Sequence, residues 1–326
     1  MINVGIIGLG KMGLIRLEEI SKLSFASVLK VYDPNSNAEL TNARSPEEII
    51  HSTEIDVIFI CTPNSLNMNY TISALNNGKH VFCEKPPALS AKEVMKIKEC
   101  EDSTGKVLMY GFNHRHHGSI IKMKSVIDSK ELGKVLWMRG RYGKSVDKDF
   151  FNNWRSKKDL SGGGILIDQG IHMLDLFLYL GGDFDKVHAA VSNLYWELDV
   201  EDNVFATFEN TETGLVASLH STMTQWRHLF SLEVFLEKGS LNLNGLKTSS
   251  KAYGDEVLSI LKNKSTTPDV EWEDEQRIEY KNDSSWELEI NEFFSAVQEN
   301  RKVKLGRSDD ALKVMRIVDQ IYSFAK

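Results

Sequence analysis

Residues 2–13 read Ile-Asn-Val-Gly-Ile-Ile-Gly-Leu-Gly-Lys-Met-Gly. The run from Ile2 to Ile7 is short and apolar, as in a strand buried within a parallel sheet. Three glycines follow at once in the pattern GxGxxG, and Leu14, Leu17 and Ile20 then recur at helical spacing. This order of strand, turn and helix predicts a dinucleotide-binding turn, because the glycines allow a tight bend, close approach of a pyrophosphate and close helix packing.

Asp33 is the second marker of a dinucleotide site. It ends the predicted strand Val28 to Tyr32 and lies 33 − 13 = 20 residues after Gly13, close to the spacing of about 20 at which a carboxylate binds the adenosine ribose. A carboxylate repels a 2′-phosphate, and no arginine directly follows Asp33, so we predict NAD rather than NADP. The residues predicted to contact the dinucleotide in this region are Gly8, Gly10, Lys11, Met12, Gly13 and Asp33.

The alternation of strands and helices continues beyond this turn. Val57 to Ile60 is the next predicted buried strand and leads into the loop Thr62-Pro63-Asn64, and His80 to Phe82 leads into Glu84-Lys85-Pro86. Ser45-Pro46-Glu47-Glu48 is typical of a helix start, with a capping serine, an early proline and acidic residues in the first turn. The pattern predicts one doubly wound domain over residues 1–120.

Lys85 is the first candidate catalytic residue. A lysine at the carboxyl end of a parallel strand faces the crevice in which open α/β sheets bind ligands. Beside a cationic nicotinamide, charge repulsion and desolvation would lower the pKa of its amine toward the range useful for proton transfer. For a lysine taken alone, the alternative is a strand end that points to solvent.

Asp168 and His172 are the other catalytic candidates. They follow Gly162-Gly163-Gly164, where the backbone can approach a ligand closely. Because they stand at positions i and i+4, we expect them on one side of a helix, one turn apart. His172 alone could equally be a core histidine bonded to a backbone carbonyl. A metal pair is a third interpretation, but no third ligand has suitable spacing, so we predict no metal.

The rest of the chain, residues 121–326, is predicted to form a second domain. Strands are expected at Lys134–Tyr142, Val187–Leu194, Val204–Glu209, Leu215–Ser221, Leu229–Leu236 and Ser240–Leu243, and helices at Trp286–Asn300 and Asp309–Phe324. Residues 247–284 are polar and poorly periodic, so we predict an irregular loop near the substrate. His114, His116 and His117 are interpreted as pocket lining or surface, since neighbouring histidines cannot all face one site on a regular backbone.

These motifs together resemble the glucose-fructose oxidoreductase/inositol dehydrogenase (Gfo/Idh/MocA) family. The matching residues, in chain order, are Gly8 to Gly13, Thr62-Pro63-Asn64, Ala74-Leu75, Gly78-Lys79-His80-Val81, Glu84-Lys85-Pro86, Arg115, Trp154-Arg155, Gly162-Gly163-Gly164, Asp168 and His172. Two positions depart from the family pattern. Asn67 stands where members often carry a histidine, and His116-His117-Gly118 stands where many have an aromatic residue and then a proline.

The resemblance implies an N-terminal Rossmann domain and a C-terminal α/β domain with a large, mostly antiparallel sheet that is often used for oligomer contacts. It also implies NAD(P)-dependent oxidation or reduction of sugars, inositols or related molecules, with Lys85, Asp168 and His172 beside the nicotinamide. Thr62, Pro63, Asn64, Glu84 and Lys85 are then expected at the cofactor. Arg115, Tyr142, Trp154, Arg155 and His172 are expected at the substrate, although a solvated arginine and a core tryptophan are equally good interpretations of Arg115 and Trp154.

Composition narrows the class of protein. The chain has 326 residues, which favours two domains, and a formal charge of 39 − 46 = −7. No long Lys/Arg cluster is present, so neither nucleic acid nor a membrane surface is an expected partner. Three cysteines without metal spacing, together with a first strand that begins at Ile2 and leaves no room for a signal peptide, predict a cytoplasmic protein.

The sequence thus predicts an NAD-dependent dehydrogenase or reductase that acts on a sugar, a nucleotide sugar or a cyclitol and forms a dimer or tetramer. One alternative is a glycosidase that oxidises its substrate transiently and regenerates NAD in each cycle. A second is a non-catalytic NAD-binding regulator, which would be expected to lose the acid/base groups that this chain keeps. A non-sugar ketone or a dihydrodiol is a further possible substrate. The sequence leaves open the particular sugar, the reaction direction and whether Lys85 or His172 carries the proton.

Overall fold

The computed structural model describes residues 1–35, 40–248, 250–263 and 270–325. The chain forms two compact units that interleave along the sequence. The first consists of Met1–Asn113, Asp159–Gly162 and Trp286–Arg316, and the second of His114–Lys158, Gly163–Ser285 and Ile317–Lys326. No helix within the described residues is both long and apolar enough to cross a membrane.

The first unit contains a five-stranded parallel sheet in the order β2-β1-β3-β4-β5. Its strands are β1 (Ile2–Ile7), β2 (Ala26–Tyr32), β3 (Val57–Ile60), β4 (His80–Glu84) and β5 (Leu108–Gly111), and its first helices are α1 (Lys11–Ser21), α2 (Pro46–Ile50), α3 (Asn64–Asn76) and α4 (Ala91–Thr104). The predicted Rossmann-type alternation is confirmed. The strand order reverses between β1 and β3, so the crevice for a ligand is expected at the carboxyl ends of these two strands.

Two serines start helices of this unit. The hydroxyl of Ser45 accepts a hydrogen bond from the backbone N–H of Glu48 at 3.3 Å, with Pro46 in the first helical position. Ser90 does the same for Glu93, also at 3.3 Å. Each cap satisfies one N–H group that the helix itself leaves without a partner. The predicted start of α2 is therefore confirmed.

The second unit contains an eight-stranded sheet in the order β13-β12-β11-β10-β6-β9-β8-β7. Its strands are β6 (Val135–Ser145), β7 (Lys186–Ser192), β8 (Asn203–Glu209), β9 (Val216–Thr222), β10 (Thr224–Leu236), β11 (Gly239–Asn244), β12 (Glu256–Lys262) and β13 (Gln276–Tyr280). Only the β6/β9 pair is parallel among these described strands, so the prediction of a mostly antiparallel sheet is confirmed.

The remaining helices are α5 (Gly118–Ser129), α6 (Lys158–Ser161), α7 (Ile171–Gly181), α8 (Ser285–Glu299) and α9 (Ser308–Tyr322). Helix α8 belongs largely to the first unit. There Phe293 lies edge-to-face against Phe59 and Phe82, with ring centroids 5.5 and 5.6 Å apart. The predicted division into two continuous domains at residue 120 does not include the return of α8 to the first unit. That return depends on packing between segments far apart in sequence.

The prediction of an irregular loop over residues 247–284 is wrong where the structure describes this segment. β12 and β13 form the end of the eight-stranded sheet there, while position 249 and residues 264–269 lie outside the described residues. In β12 buried and half-buried residues alternate, whereas the edge strand β13 has no buried residue. An edge strand with little apolar surface gives only a weak periodic signal.

Candidate active site

The glycine turn after β1 has the shape that a dinucleotide requires. Gly8 has φ +94°, and a Cβ atom there would lie 2.4 Å from the carbonyl oxygen of Cys61. A Cβ atom on Gly13 would lie 2.0 Å from the oxygen of Gly8, whereas one on Gly10 would meet no atom within 4 Å. Gly8 and Gly13 are thus required by packing, and Gly10 leaves open space at the start of α1. No side chain caps α1, so its first N–H groups fit a bound pyrophosphate.

Asp33 is held against this turn. One carboxylate oxygen accepts a hydrogen bond from the backbone N–H of Leu9 at 2.6 Å, and the other accepts from Asn35 at 2.8 Å. Each oxygen keeps lone-pair capacity, because a carboxylate offers about four acceptor positions. The carboxylate therefore fits the role of a ribose acceptor beside the glycine turn.

Asn67 links the loops that follow β3 and β4. It is fully buried and accepts a hydrogen bond from the hydroxyl of Thr62 at 2.9 Å. Its amide nitrogen donates to the carbonyl oxygen of Pro86 at 2.8 Å. Asn67 therefore forms a polar connection between the Thr62 loop and the loop that carries Lys85. Asn64, from the same predicted motif, donates to the carbonyl of Ser161 at 2.7 Å.

Lys85 is half-buried directly after β4, and its peptide bond to Pro86 is cis. The neighbouring carboxylate of Glu84 is engaged by Arg16, whose Nε donates to it at 2.8 Å. Arg16 is fully buried and also lies 2.7 Å from a carboxylate oxygen of Glu289. This buried ion-pair network fixes the strand end next to Lys85. The predicted contact of Glu84 with the cofactor stays a prediction.

In the second unit, Asp168 lies on a π-helical turn, Leu166–Gly170, that precedes α7. The expectation of one regular helix through Asp168 and His172 is therefore wrong. Short π-helical turns occur often at functional sites. Lys144 Nζ lies 2.5 Å from one oxygen of Asp168, and Arg155 Nε lies 3.4 Å from the other. Two cations thus surround this carboxylate.

His172 is buried and stacks on a second imidazole. Its ring centroid lies 3.9 Å from that of His114, with the ring planes 16° apart. His114 Nε2 lies 3.0 Å from the hydroxyl of Tyr142, and Tyr253 donates a hydrogen bond to Gln169 at 2.9 Å. Burial raises the pKa values of Tyr142 and Tyr253, so both phenols stay protonated at neutral pH and can donate hydrogen bonds. These side chains form a polar, aromatic surface around the imidazole.

Two arginines predicted at the substrate make further contacts of their own. Arg115 makes a bidentate ion pair with Asp175, at 2.8 and 2.6 Å, and both side chains are buried. Arg155 packs over the ring of Trp154, with 4.4 Å from its guanidinium carbon to the ring centroid. These contacts account for the positions of the arginines, and the predicted roles of Arg115, Trp154 and Arg155 at a substrate stay predictions.

Glu201 and Tyr322 clamp the start of the π-helical turn. Glu201 accepts hydrogen bonds from the backbone N–H groups of Gly164 and Leu166, at 2.8 and 3.0 Å, and from the hydroxyl of Tyr322 at 2.9 Å. A Cβ atom on Gly163 would lie 1.9 Å from the Tyr322 hydroxyl. A Cβ atom on Gly164 would lie 1.9 Å from the carbonyl oxygen of Glu201, so Gly163 and Gly164 are required by close packing against Tyr322 and Glu201.

Several residues of this arrangement are not among the predicted site residues. Lys144 follows Tyr142 at the i+2 position of β6 and so shares its face of the sheet, a signal that was present in the sequence. His114 was interpreted as pocket lining or surface, and the structure buries it together with its neighbours His116 and His117. The contacts made by Glu201 join segments far apart in sequence, and no local pattern indicates them.

Two family profiles match this chain. One, described as the oxidoreductase family with an NAD-binding Rossmann fold, matches residues 2–112, and the other, the GFO/IDH/MocA C-terminal domain, matches residues 120–242. The chain belongs to the GFO/IDH/MocA family of oxidoreductases. Its first unit is accordingly an NAD-binding Rossmann domain, and the glycine turn and Asp33 fit that cofactor.

Several relatives are named dehydrogenases of sugars or cyclitols. The chain is 31% identical over 215 residues to levoglucosan dehydrogenase of Pseudarthrobacter phenanthrenivorans, which covers 59% of this chain and 54% of that protein. It is 30% identical over 214 residues to D-glucoside 3-dehydrogenase of Escherichia coli, covering 60% and 59%. It is 25% identical over 272 residues to myo-inositol 2-dehydrogenase of Thermotoga maritima, covering 78% of each. The match thus spans less than two thirds of the first two relatives.

The fold agrees with solved structures along nearly the whole chain. A structure of levoglucosan dehydrogenase in complex with NADH and levoglucosan has a TM-score of 0.85 at 23% identity, covering 99% of this chain and 97% of that one. The structure of aldose-aldose oxidoreductase from Caulobacter crescentus complexed with glycerol has a TM-score of 0.81 at 22% identity, covering 99% and 97%. These similarities establish the two-domain fold.

Proposed function

We propose that this protein is an NAD-dependent dehydrogenase or reductase that acts on a carbinol or ketone carbon of a sugar, a nucleotide sugar or a cyclitol. The observation that carries the proposal is the environment of Asp168 and His172. A carboxylate held by two cations lies on a π-helical turn, and a buried imidazole follows it, in a chain whose other unit binds NAD. The named activities of the family relatives support the same class of substrate.

The chemistry assigns a role to each candidate. Bound NAD supplies the hydride acceptor, and NADH the donor. In oxidation, Lys85 Nζ or an imidazole nitrogen of His172 takes the proton of the substrate hydroxyl, and in reduction the same atom returns it. Lys85 also polarises the substrate oxygen. Asp168 keeps the lysine or the substrate in register, since acid/base catalysis requires fixed geometry.

The deciding experiment measures net NADH formation by absorbance, with NAD and a panel of free sugars, nucleotide sugars and cyclitols. Sustained NADH formation in step with substrate consumption is expected. Cleavage of a glycoside without net NADH would favour the glycosidase. NAD binding without any turnover across the panel would favour the regulator.

Asp33 supports a preference for NAD over NADP, which has its own test. Asp33→Asn removes the charge that repels a 2′-phosphate. It also weakens the side chain as an acceptor for the adenosine ribose, beside the backbone N–H of Leu9 that holds it. Hydrogen bonds to charged groups contribute about 1.5–3 kcal/mol, so the ratio of kcat/KM for NAD to that for NADP should fall by about ten- to a hundredfold. Equal efficiency of the wild-type enzyme with both cofactors would contradict the preference.

We further propose a cytoplasmic homo-oligomer, a dimer or tetramer, built on the outer face of the eight-stranded sheet. Trp137 stacks on Phe235 with centroids 4.1 Å apart, Phe205 stacks on His220 at 3.8 Å, and Val216 is 45% exposed. Apolar surface of this kind is typical of subunit contacts. Light scattering of the wild type should give a mass that is a multiple of the chain mass. The mass should be lower for Trp137→Asp.

Cell fractionation tests the proposed cytoplasmic location, and a membrane-bound or secreted product would contradict it.

A further inference from the structure

Four aromatic side chains of the second unit form a contiguous group, here called the aromatic cluster: the exposed Phe151, Tyr195 and Trp226 and the half-buried Trp196. The ring centroid of Tyr195 lies 5.0 Å from that of Trp196 and 5.8 Å from that of Trp226. The ring centroid of Phe151 lies 6.5 Å from that of Trp196. Trp226 is 78% exposed and Tyr195 is 58% exposed. Exposed aromatic groups of this size are unusual unless they form a binding site for a ligand or another protein.

The loop that carries Tyr195 and Trp196 is held by hydrogen bonds. The fully buried carboxylate of Asp202 accepts hydrogen bonds from three successive backbone N–H groups, those of Leu194, Tyr195 and Trp196, at 2.8 to 3.0 Å. The indole N–H of Trp196 donates to the carbonyl of Met223 at 2.9 Å. The indole of Trp196 and the backbone that carries Tyr195 are therefore pre-organised, which lowers the entropic cost of binding a ligand.

One short segment connects the cluster to the candidate catalytic carboxylate. Phe150 lies under Lys144, whose nitrogen is 4.4 Å from its ring centroid and also binds Asp168. The next residue, Phe151, belongs to the cluster, and Arg155 of the same segment approaches Asp168. The cluster is thus continuous with the proposed substrate site of this unit.

We propose that the aromatic cluster is a second sugar-binding subsite, which holds the aglycone pyranose ring of a glycoside whose other ring is oxidised. This inference rests on the proposed function. The C–H groups on one face of a pyranose are apolar and weakly positive, so they pack against the negative face of an aromatic ring. Tyr195 and Trp226 are nearly perpendicular, at 88°, and form a corner suited to one small ring.

A second copy of the chain is the less fitting occupant. A stable subunit contact buries about 800 Å² on each partner, which four side chains arranged around a corner do not supply. The sheet face with Trp137, Phe235 and Phe205 offers a broader apolar surface for that purpose.

The test compares each of three methyl glycosides with a disaccharide that has the same non-reducing sugar and a second ring. Methyl α-glucoside is paired with maltose, methyl β-glucoside with cellobiose and methyl β-galactoside with lactose. The variant is Trp226→Ala, and the matched control is Trp272→Ala, which removes a tryptophan that is 79% exposed. A lost stacking contact changes an equilibrium by up to about tenfold. The ratio of KM for disaccharide to KM for methyl glycoside should rise about fivefold to tenfold in Trp226→Ala and stay at the wild-type value in Trp272→Ala.

Calorimetric titration of the NADH-loaded enzyme with the preferred disaccharide measures binding without oxidation, and its Kd should rise by the same factor. An unchanged ratio and Kd in Trp226→Ala would overturn the subsite. A change in the mass of Trp226→Ala by light scattering would overturn it in favour of a subunit contact. If wild-type enzyme neither oxidises nor binds any of these sugars while it oxidises a free cyclitol, the subsite fails and the proposed function stands. Absence of turnover with every sugar and cyclitol overturns both.

Discussion

Gly10 and Gly13 lie three residues apart, and different roles are proposed for them. A side chain at position 13 would collide with the backbone of Gly8, whereas one at position 10 would enter open space. Gly13→Ala should therefore lower the free energy of unfolding by about 1–3 kcal/mol, as overpacking does. Gly10→Ala should unfold like the wild type but bind NADH more weakly, because its methyl group occupies the space for the pyrophosphate. Urea unfolding and NADH fluorescence titration separate these effects, and wild-type NADH affinity in Gly10→Ala would contradict the assigned role.

The residues that could be predicted from sequence are those whose role depends on local geometry. The glycine turn and Asp33 are recognisable because a strand, a turn and a helix impose fixed spacing. Asn67 illustrates the opposite case. A departure from the family pattern had no evident meaning until the structure showed its hydrogen bonds to the Thr62 and Pro86 loops.

The π-helical turn that carries Asp168 depends on the clamp formed by Glu201 and Tyr322. Glu201→Gln replaces one acceptor oxygen with an NH₂ group that faces backbone donors, which should cost about 1–3 kcal/mol of stability. Because Asp168 then loses its fixed position, kcat should fall while the Kd of NADH stays unchanged. Tyr322→Phe, which removes only one donor, should have a smaller effect on both stability and kcat. A folded Glu201→Gln with wild-type kcat would show that the clamp does not position the carboxylate.

His80, at the start of β4, gives the first unit a defined pH dependence. Its Nδ1 accepts a hydrogen bond from the backbone N–H of Val107 at 3.0 Å, which requires the neutral ring. Burial, with the nearby charge of Lys106, lowers the pKa of His80 from 6.5 to about 4. Between pH 6.5 and about pH 4, His80 is protonated in the unfolded chain but neutral in the folded one. The contribution of its neutral ring to stability is therefore complete above pH 6.5 and is lost as the pH falls toward 4.

The neutral variant His80→Gln keeps an acceptor for Val107 and removes the titration. Urea unfolding at about pH 5 and about pH 8 should show the wild type losing about 1–2 kcal/mol more than the variant at the lower pH, after allowance for partial exposure of the ring. Parallel loss of stability in both proteins would contradict this assignment.

Most strands of the second unit were predictable from their apolar residues, and β12 and β13 were not. β8 and β9 lie within one residue of their predicted bounds, because buried residues alternate along both strands. β12 and β13 were predicted as loop because residues 247–284 are largely polar: β13 has no buried residue, and the alternation in β12 covers only a few residues of that segment. The π-helical turn was also unpredictable, because its clamp joins residues 164 and 201 through tertiary contacts.

The whole chain is divided between units that interleave in sequence. Helix α8 returns to the first unit because Ile290, Phe293 and Phe294 complete its hydrophobic core. An amphipathic pattern predicts that one face of such a helix packs against a hydrophobic core, but it does not indicate which of the two sheets supplies that core. The family and its NAD-binding domain were nevertheless predictable, because the matching motifs extend over both units, whereas the acid/base assignment stays a prediction.

The most direct test is the turnover number of Lys85→Met and His172→Gln, measured with the sugar that gives net NADH formation. Loss of a general acid/base group lowers kcat by about 10²–10⁴-fold, and we expect a loss of this size in at least one variant, with the Kd of NADH close to wild type. Lys92→Met and His51→Gln, at exposed positions, serve as matched controls and should keep full activity. Turnover within about threefold of wild type in both Lys85→Met and His172→Gln, a change too small for acid/base catalysis, would contradict the proposed catalytic assignment.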